Sequence, residues 1–216
     1  VVFLDGYFVF NQKDTDRTWN TALYDGTSVT GTDFFTAEGD PDKTVALLTD
    51  QRQLLNFGEI SLEPYYNAGD SDSTFKRFQG GFVQTGCAAP FSAALFDNSF
   101  MWLSANERGH GQVVRPNETG IQPQVISSVE MNYQVSTYSR IDDATAYVYQ
   151  HEGHEFYVLT FPTANVTWVY DAREQDWHQR AHVINGAFPS RERFNCHVFA
   201  FGKHLMGDFS NGTIYE

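Results

Sequence analysis

The apolar positions of this chain fall in short runs, not in a helical rhythm. Tyr7-Phe8-Val9-Phe10, Val45-Ala46-Leu47-Leu48, Phe100-Met101-Trp102-Leu103, Phe156-Tyr157-Val158-Leu159 and Val198-Phe199-Ala200-Phe201 are each about one strand long and rich in aromatic and β-branched residues. Asp-Gly, Asn-Gly, Asp-Asn and Pro separate them, residues that supply turn conformations. No window of about 11 residues sustains an i, i+3, i+4 apolar pattern. Helix is predicted only for a turn or two within Ser127–Tyr138.

The runs recur as a unit of an apolar segment, a tight polar turn and a second apolar segment. The turns are Asp5-Gly6, Asp50-Gln51-Arg52, Asp97-Asn98, Glu152-Gly153 and Gly202-Lys203, with first residues 45, 47, 55 and 50 positions apart. A third strand follows at Ser61–Tyr66, Gln112–Arg115, Thr167–Tyr170 and Thr213–Tyr215, and a fourth can be placed at Trp177–Val183. Four strands in roughly 40–50 residues is the period of a β-propeller blade. A single twisted sheet cannot cover both of its faces, whereas radial stacking buries both and leaves short edges. The expected fold is all-β: a β-propeller, or part of one, with blades of about 45–55 residues forming a single propeller-like domain over 1–216. A sandwich or two small β domains are the alternatives.

The clearest unit runs from Tyr147 to Val183. Its Trp168-Val169-Tyr170-Asp171 followed by Trp177 resembles the third and fourth strands of a kelch-type blade, where Tyr-Asp ends one strand and a Trp anchors the next. Trp168, Tyr170, Asp171 and Trp177 are therefore expected to be structural blade anchors. An ordinary hairpin with cross-strand aromatic pairing explains the same pattern more simply.

Charge narrows the function. Fourteen basic against 27 acidic residues leave a net charge of −13, which argues against a surface that wraps phosphates. With 19 Phe, 11 Tyr and 4 Trp the chain can bury a substantial core, unlike a disordered segment. Cys87 and Cys196 are too few for a disulfide scaffold and are expected to be two packed thiols. No apolar run approaches the roughly 18 residues of a membrane helix. Both ends read as strand, Val1-Val2-Phe3-Leu4 and Gly212-Thr213-Ile214-Tyr215-Glu216, and the chain is expected to be a piece of a longer protein.

Candidate chemistry is thin. His151-Glu152-Gly153-His154 falls at a predicted hairpin turn, whereas metalloprotease zinc needs two histidines one helical turn apart. His178 and His182 lie four apart on a strand, out of each other's reach. The sequence lacks a nucleophile elbow, a P-loop and a dinucleotide fingerprint, and Gly109-His110-Gly111 lacks the helix a phosphate site would require. The carboxylates Asp5, Asp25, Asp40, Asp42, Asp50, Asp70, Asp72, Asp142 and Asp143 sit where turn chemistry accounts for them. Asn117-Glu118-Thr119, Asn165-Val166-Thr167 and Asn211-Gly212-Thr213 match the glycosylation acceptor and are expected to be silent. No catalytic residue, metal or cofactor is expected.

Four stretches together carry a resemblance. They are Leu23-Tyr24-Asp25-Gly26-Thr27; Phe57-Gly58 with Glu63 and Tyr65-Tyr66-Asn67-Ala68-Gly69; Gly86-Cys87-Ala88-Ala89-Pro90; and Val169-Tyr170-Asp171-Ala172 before Trp177. In this order the chain resembles the packaged-DNA stabilisation proteins of short-tailed bacteriophages, which are tail hub or nozzle components. The resemblance implies a structural virion protein made in the bacterial host cytoplasm. It implies a ring of subunits, six by the usual tail symmetry, that retains packaged DNA and passes it during ejection. It further implies contacts with a portal adaptor and with a needle, spike or fibre, and neither catalysis, cofactor nor membrane. The family carries no assigned catalytic residue to transfer. A carbohydrate-binding or glycoside-hydrolysing propeller is the alternative, and a kelch-like protein-interaction module is a third reading. A carboxylate pair about 5–10 Å apart beside stacked Trp would mark the glycosidase.

Overall fold

The computed structural model describes residues 1–37, 39, 42–70, 73–105, 111–117, 120–183 and 190–216. Asp40, Asp72, the Gly109-His110 pair, and Glu118 and Thr119 of the first acceptor match lie outside the described residues.

Strands appear in chain order as successive antiparallel meanders. The first sheet is β1 (Val2–Leu4), β2 (Tyr7–Asn11), β3 (Arg17–Asn20) and β4 (Phe34–Thr36). The second is β5 (Thr44–Asp50), β6 (Gln53–Gly58), β7 (Leu62–Asn67) and β8 (Phe75–Arg77). In the third, β9 (Gly86–Cys87) pairs with β11 (Ser99–Ala105), and β10 (Ala94–Phe96), β11, β12 (Gln112–Pro116) and β13 (Pro123–Val125) follow in order. The helix α1 (Val129–Thr137) comes next, within the stretch where the sequence allowed one. Ser128 caps it by accepting the Met131 N–H at 3.2 Å. The fourth sheet is β14 (Thr145–His151), β15 (His154–Phe161), β16 (Val166–Asp171), β17 (Asp176–His182) and β18 (Ser190–Arg191). The last is β19 (Phe194–Ala200), β20 (Lys203–Asp208) and β21 (Ile214–Tyr215).

Each sheet contains one two-residue hairpin whose central residues both have positive φ: Asp5-Gly6, Gln51-Arg52, Asp97-Asn98, Glu152-Gly153 and Phe201-Gly202. The flanking pairs Leu4–Tyr7, Asp50–Gln53, Phe96–Ser99, His151–His154 and Ala200–Lys203 close them. Two left-handed residues give the turn whose twist matches that of the strands, hence the Asp, Asn and Gly at these positions. The last turn lies one residue earlier than the expected Gly202-Lys203. Phe201 reads as strand by propensity, yet it occupies the left-handed region (φ 56°) with its ring 94% exposed, and Gly202 takes the second place.

The chain groups into two compact units, the first built mainly on Val1–Ala88 and the second mainly on Val125–Glu216 with Ala89–Leu103. In the first unit, β1 and β2 pack against β5. The core there is Leu4, Val9, Leu54, Tyr65 and Phe75, with Val2, Tyr7, Phe35 and Leu47 against it. Strand alternation turns Phe3 and Phe8 to the opposite, exposed face of the first sheet, 5.2 Å apart. Asp42, in the segment entering β5, is buried and accepts from the N–H groups of Glu59, Ile60 and Ser61 at 2.9, 2.7 and 2.9 Å and from the Ser61 hydroxyl at 3.1 Å. Gly58 must be glycine for this approach, since a Cβ there would lie 2.2 Å from an Asp42 oxygen.

In the second unit, β14 and β15 contact β10, and β14 also contacts β19. The fourth sheet is thus covered on both faces. Cys87 is buried in β9, as expected, but Cys196 on β19 is exposed and not packed, and no bond joins the two thiols.

Candidate functional site

The two faces of the fourth sheet hold the most organised side chains of the second unit, and register decides which residue goes where. On one face stand Tyr157, Leu159 and Phe161 of β15, Trp168 and Tyr170 of β16 and Trp177 of β17. All six are buried. Tyr170 sits opposite Trp177 across the β16–β17 pair with ring centroids 5.1 Å apart. Trp177 meets Tyr157 edge-on at 6.3 Å and donates its indole N–H to the Ile126 carbonyl at 2.8 Å. The Trp168 Nε1 donates to the Tyr138 hydroxyl at 3.2 Å, and Phe96 packs on Tyr170 at 5.8 Å. These are interior contacts, each polar tip of the two Trp being satisfied inside the fold.

Asp171 ends β16 with its carboxylate facing the other way. It accepts from the N–H groups of Arg173 and Glu174 and lies 2.6 Å from the His154 Nδ1. Burial pushes its carboxyl up, but the His154 hydrogen bond and the two N–H groups outweigh that and hold it below the usual carboxylate range. His154 is thereby committed to a turn carboxylate. Among the described residues no group of three or more His, Cys, Asp or Glu is placed to hold a metal ion.

The opposite face carries a polar and aromatic layer that the sequence reading missed. Alternation along β14 puts Tyr147, Tyr149 and His151 on this side, with Phe156 and Val158 beside them. The Arg180 guanidinium lies 5.3 Å over both the Tyr149 and the Phe156 rings and donates to the Tyr149 hydroxyl. It also lies 3.7 Å from Glu192, which accepts from the Tyr147 hydroxyl at 3.3 Å. Burial raises the Glu192 carboxyl against the pull of Arg180, and it raises the Tyr147 and Tyr149 hydroxyls as well. Against this layer β19 and β20 bring His197 and His204, with a ring nitrogen of each 2.9 Å apart. The His197 ring stacks on Tyr147 at 6.2 Å and tilts against Tyr149 at 5.6 Å. The period-2 pattern of β14 was the available signal. The pairing of β14 with residues of β19 was not written in either strand.

Such a layer binds its own members: each cation has a carboxylate or ring, and the tyrosine hydroxyls are spent on Arg180 and Glu192. In the first unit Glu63 behaves alike, being buried and accepting from the Gly39 N–H and the Tyr65 hydroxyl, each at 2.8 Å, with Arg77 at 3.9 Å.

Comparison with known proteins adds a family. The family model described as "Bacteriophage P22 Gp10, beta-propeller" matches residues 1–216. No curated protein matches significantly. Among solved structures, the computationally designed Ika8 protein is 14% identical with a TM-score of 0.47 over 99% of this chain and 55% of that one. The N-terminal domain of Nup159 is 8% identical with a TM-score of 0.49 over 98% and 62%. An engineered GH43 glycoside hydrolase is 12% identical with a TM-score of 0.42 over 82% and 39%. The chain thus spans less than two thirds of the length of each of these structures.

Proposed function

This chain belongs to the phage-stabilisation family of bacteriophage P22 Gp10, a β-propeller family of structural phage proteins, and on that premise we propose that it is part of a tail hub whose sixfold ring retains packaged DNA below the portal and passes it at ejection. The ring would join a portal adaptor to distal tail parts, a needle, spike or fibre. It has no catalytic step and needs no cofactor. The five consecutive meanders among the described residues act as scaffold, with Trp168, Tyr170, Asp171 and Trp177 as anchors of one blade.

The observation that carries the DNA part of this reading is the condition of the basic residues. The sequence clusters cations only at Lys76-Arg77 and at Arg191 and Arg193. Lys76 is paired with Asp70 at 2.6 Å, Arg77 faces buried Glu63, Arg193 reaches Asp208 at 2.7 Å, and Arg191 lies 3.7 Å over the Phe209 ring. A phosphate would have to displace a carboxylate at three of these four positions. A sixfold ring multiplies the net charge of −13, and such a wall repels the duplex over about a Debye length. DNA then slides without being gripped.

A gel-retardation assay at about 150 mM salt is expected to show no complex with duplex DNA at micromolar protein. Each phosphate neutralised adds about 0.9 to the salt slope of log affinity. A sub-micromolar complex with a steep slope would refute the passive wall.

A further inference from the structure

The paired histidines between β14 and the β19–β20 hairpin have no part in the scaffold reading, and their hydrogen bonding depends on protons. His197 and His204 are diagonal neighbours on the face of that hairpin turned toward β14. His197 points Nε2 at the His204 Nδ1, 2.9 Å away, and lays its ring against Tyr147 and Tyr149 of β14. In the neutral pair one of the two facing nitrogens carries the proton and the other accepts the hydrogen bond. The bond joins β19 to β20, and the ring contacts of the pair with Tyr147, Tyr149 and His151 hold both strands against β14.

We propose that the His197–His204 pair is an acid-sensitive latch: neutral, it fastens the β19–β21 sheet to β14, and acid releases it. One proton on the pair places a cation in a half-buried aromatic layer. A second sets N–H against N–H with two like charges in contact. The groups around the pair do not compensate. From β14 come Tyr147, Tyr149 and His151, the last edge-on to His204 at 5.7 Å. From β17 comes the cation Arg180, held over Tyr149. Before β19 comes Glu192, already shared between Arg180 and Tyr147. From β15 comes His154, committed to Asp171. At the hairpin end Lys203 is paired with Glu216 at 2.6 Å. Among the described residues no carboxylate lies within ion-pair distance of either ring of the latch.

The sign follows from linkage. Burial, then His204, depress His197 below the ordinary histidine value of 6.5, with the Val148 carbonyl opposing. The unfolded chain therefore takes up the proton first. The latch contributes fully above about pH 6.5, and its contribution is lost as pH falls below that value toward the depressed one.

Hydrogen exchange of the full chain at pH 7.5 and 5.5, corrected for intrinsic rates, tests this. Protection in β19–β21 is expected to fall several-fold at the lower pH while β5–β8 keep theirs. His197→Phe and His197→Gln should each remove most of that difference, the Phe variant by keeping a ring against Tyr147 and Tyr149, while His204→Phe removes only the smaller part that His204 contributes. His178, also depressed by burial but outside the pair, gives the control, and His178→Gln should retain the fall. Equal protection of β19–β21 at both pH values would overturn the latch. So would a fall undiminished in both His197 variants, or one abolished by His178→Gln.

Discussion

Trp177→Ala should destabilise the protein by about 3–5 kcal/mol, the range for truncating a large buried aromatic. The indole is 9% exposed, packs on Tyr170 and Tyr157, and gives its N–H to the Ile126 carbonyl. Its loss opens a cavity between β16, β17 and the segment before α1 and leaves that carbonyl without its donor. For a chain of this size the melting temperature should drop by roughly 6–20 °C. Trp177→Phe keeps most of the packing and loses the hydrogen bond, so about 1 kcal/mol of the loss separates from the cavity. A thermal or denaturant melt with Trp177→Ala unchanged would remove Trp177 from the anchors of its blade.

Asp42→Ala is expected to be of similar size for a different reason. The carboxylate is the shared acceptor of three successive backbone N–H groups and one hydroxyl. An alanine strands the buried Ser61 N–H and hydroxyl and unties the part-buried Glu59 and Ile60 N–H groups, and each buried donor without a partner is penalised by about 1–3 kcal/mol. A total near 3 kcal/mol or more follows, read by denaturant melts. Asp42→Asn retains one carbonyl acceptor and should lose clearly less. Equal losses in the two variants would mean that the side chain fills space and does not gather the loop.

Much of the fold could be read from the sequence because its turns are local. Asp5-Gly6, Asp97-Asn98 and Glu152-Gly153 announce left-handed pairs by residue type alone, and four of the five hairpins fall where these signals place them. The fifth slipped by one residue because Phe201 is a strand former occupying a turn position. That Trp168, Tyr170 and Trp177 share one buried face was legible because alternation puts them on the same side of adjacent strands. The rest is non-local. Asp42 looked like another turn carboxylate, and only the loop at Glu59–Ser61 folding over it makes it a buried acceptor. The Arg180, Glu192 and His197 layer needs strands β14, β17 and β19 brought together, and no periodicity within a strand encodes its neighbour. Cys196 was expected to be packed, yet β19 leaves it exposed.

The central claim is that this propeller segment is a ring component of a phage tail. Electron cryomicroscopy of virions of the phage that encodes it tests that claim most directly. The account predicts six copies of its consecutive meanders around the tail axis below the portal, with DNA passing inside and no ordered contact to bases. Virions whose tails lack the protein, or that carry it away from the DNA path, would contradict it.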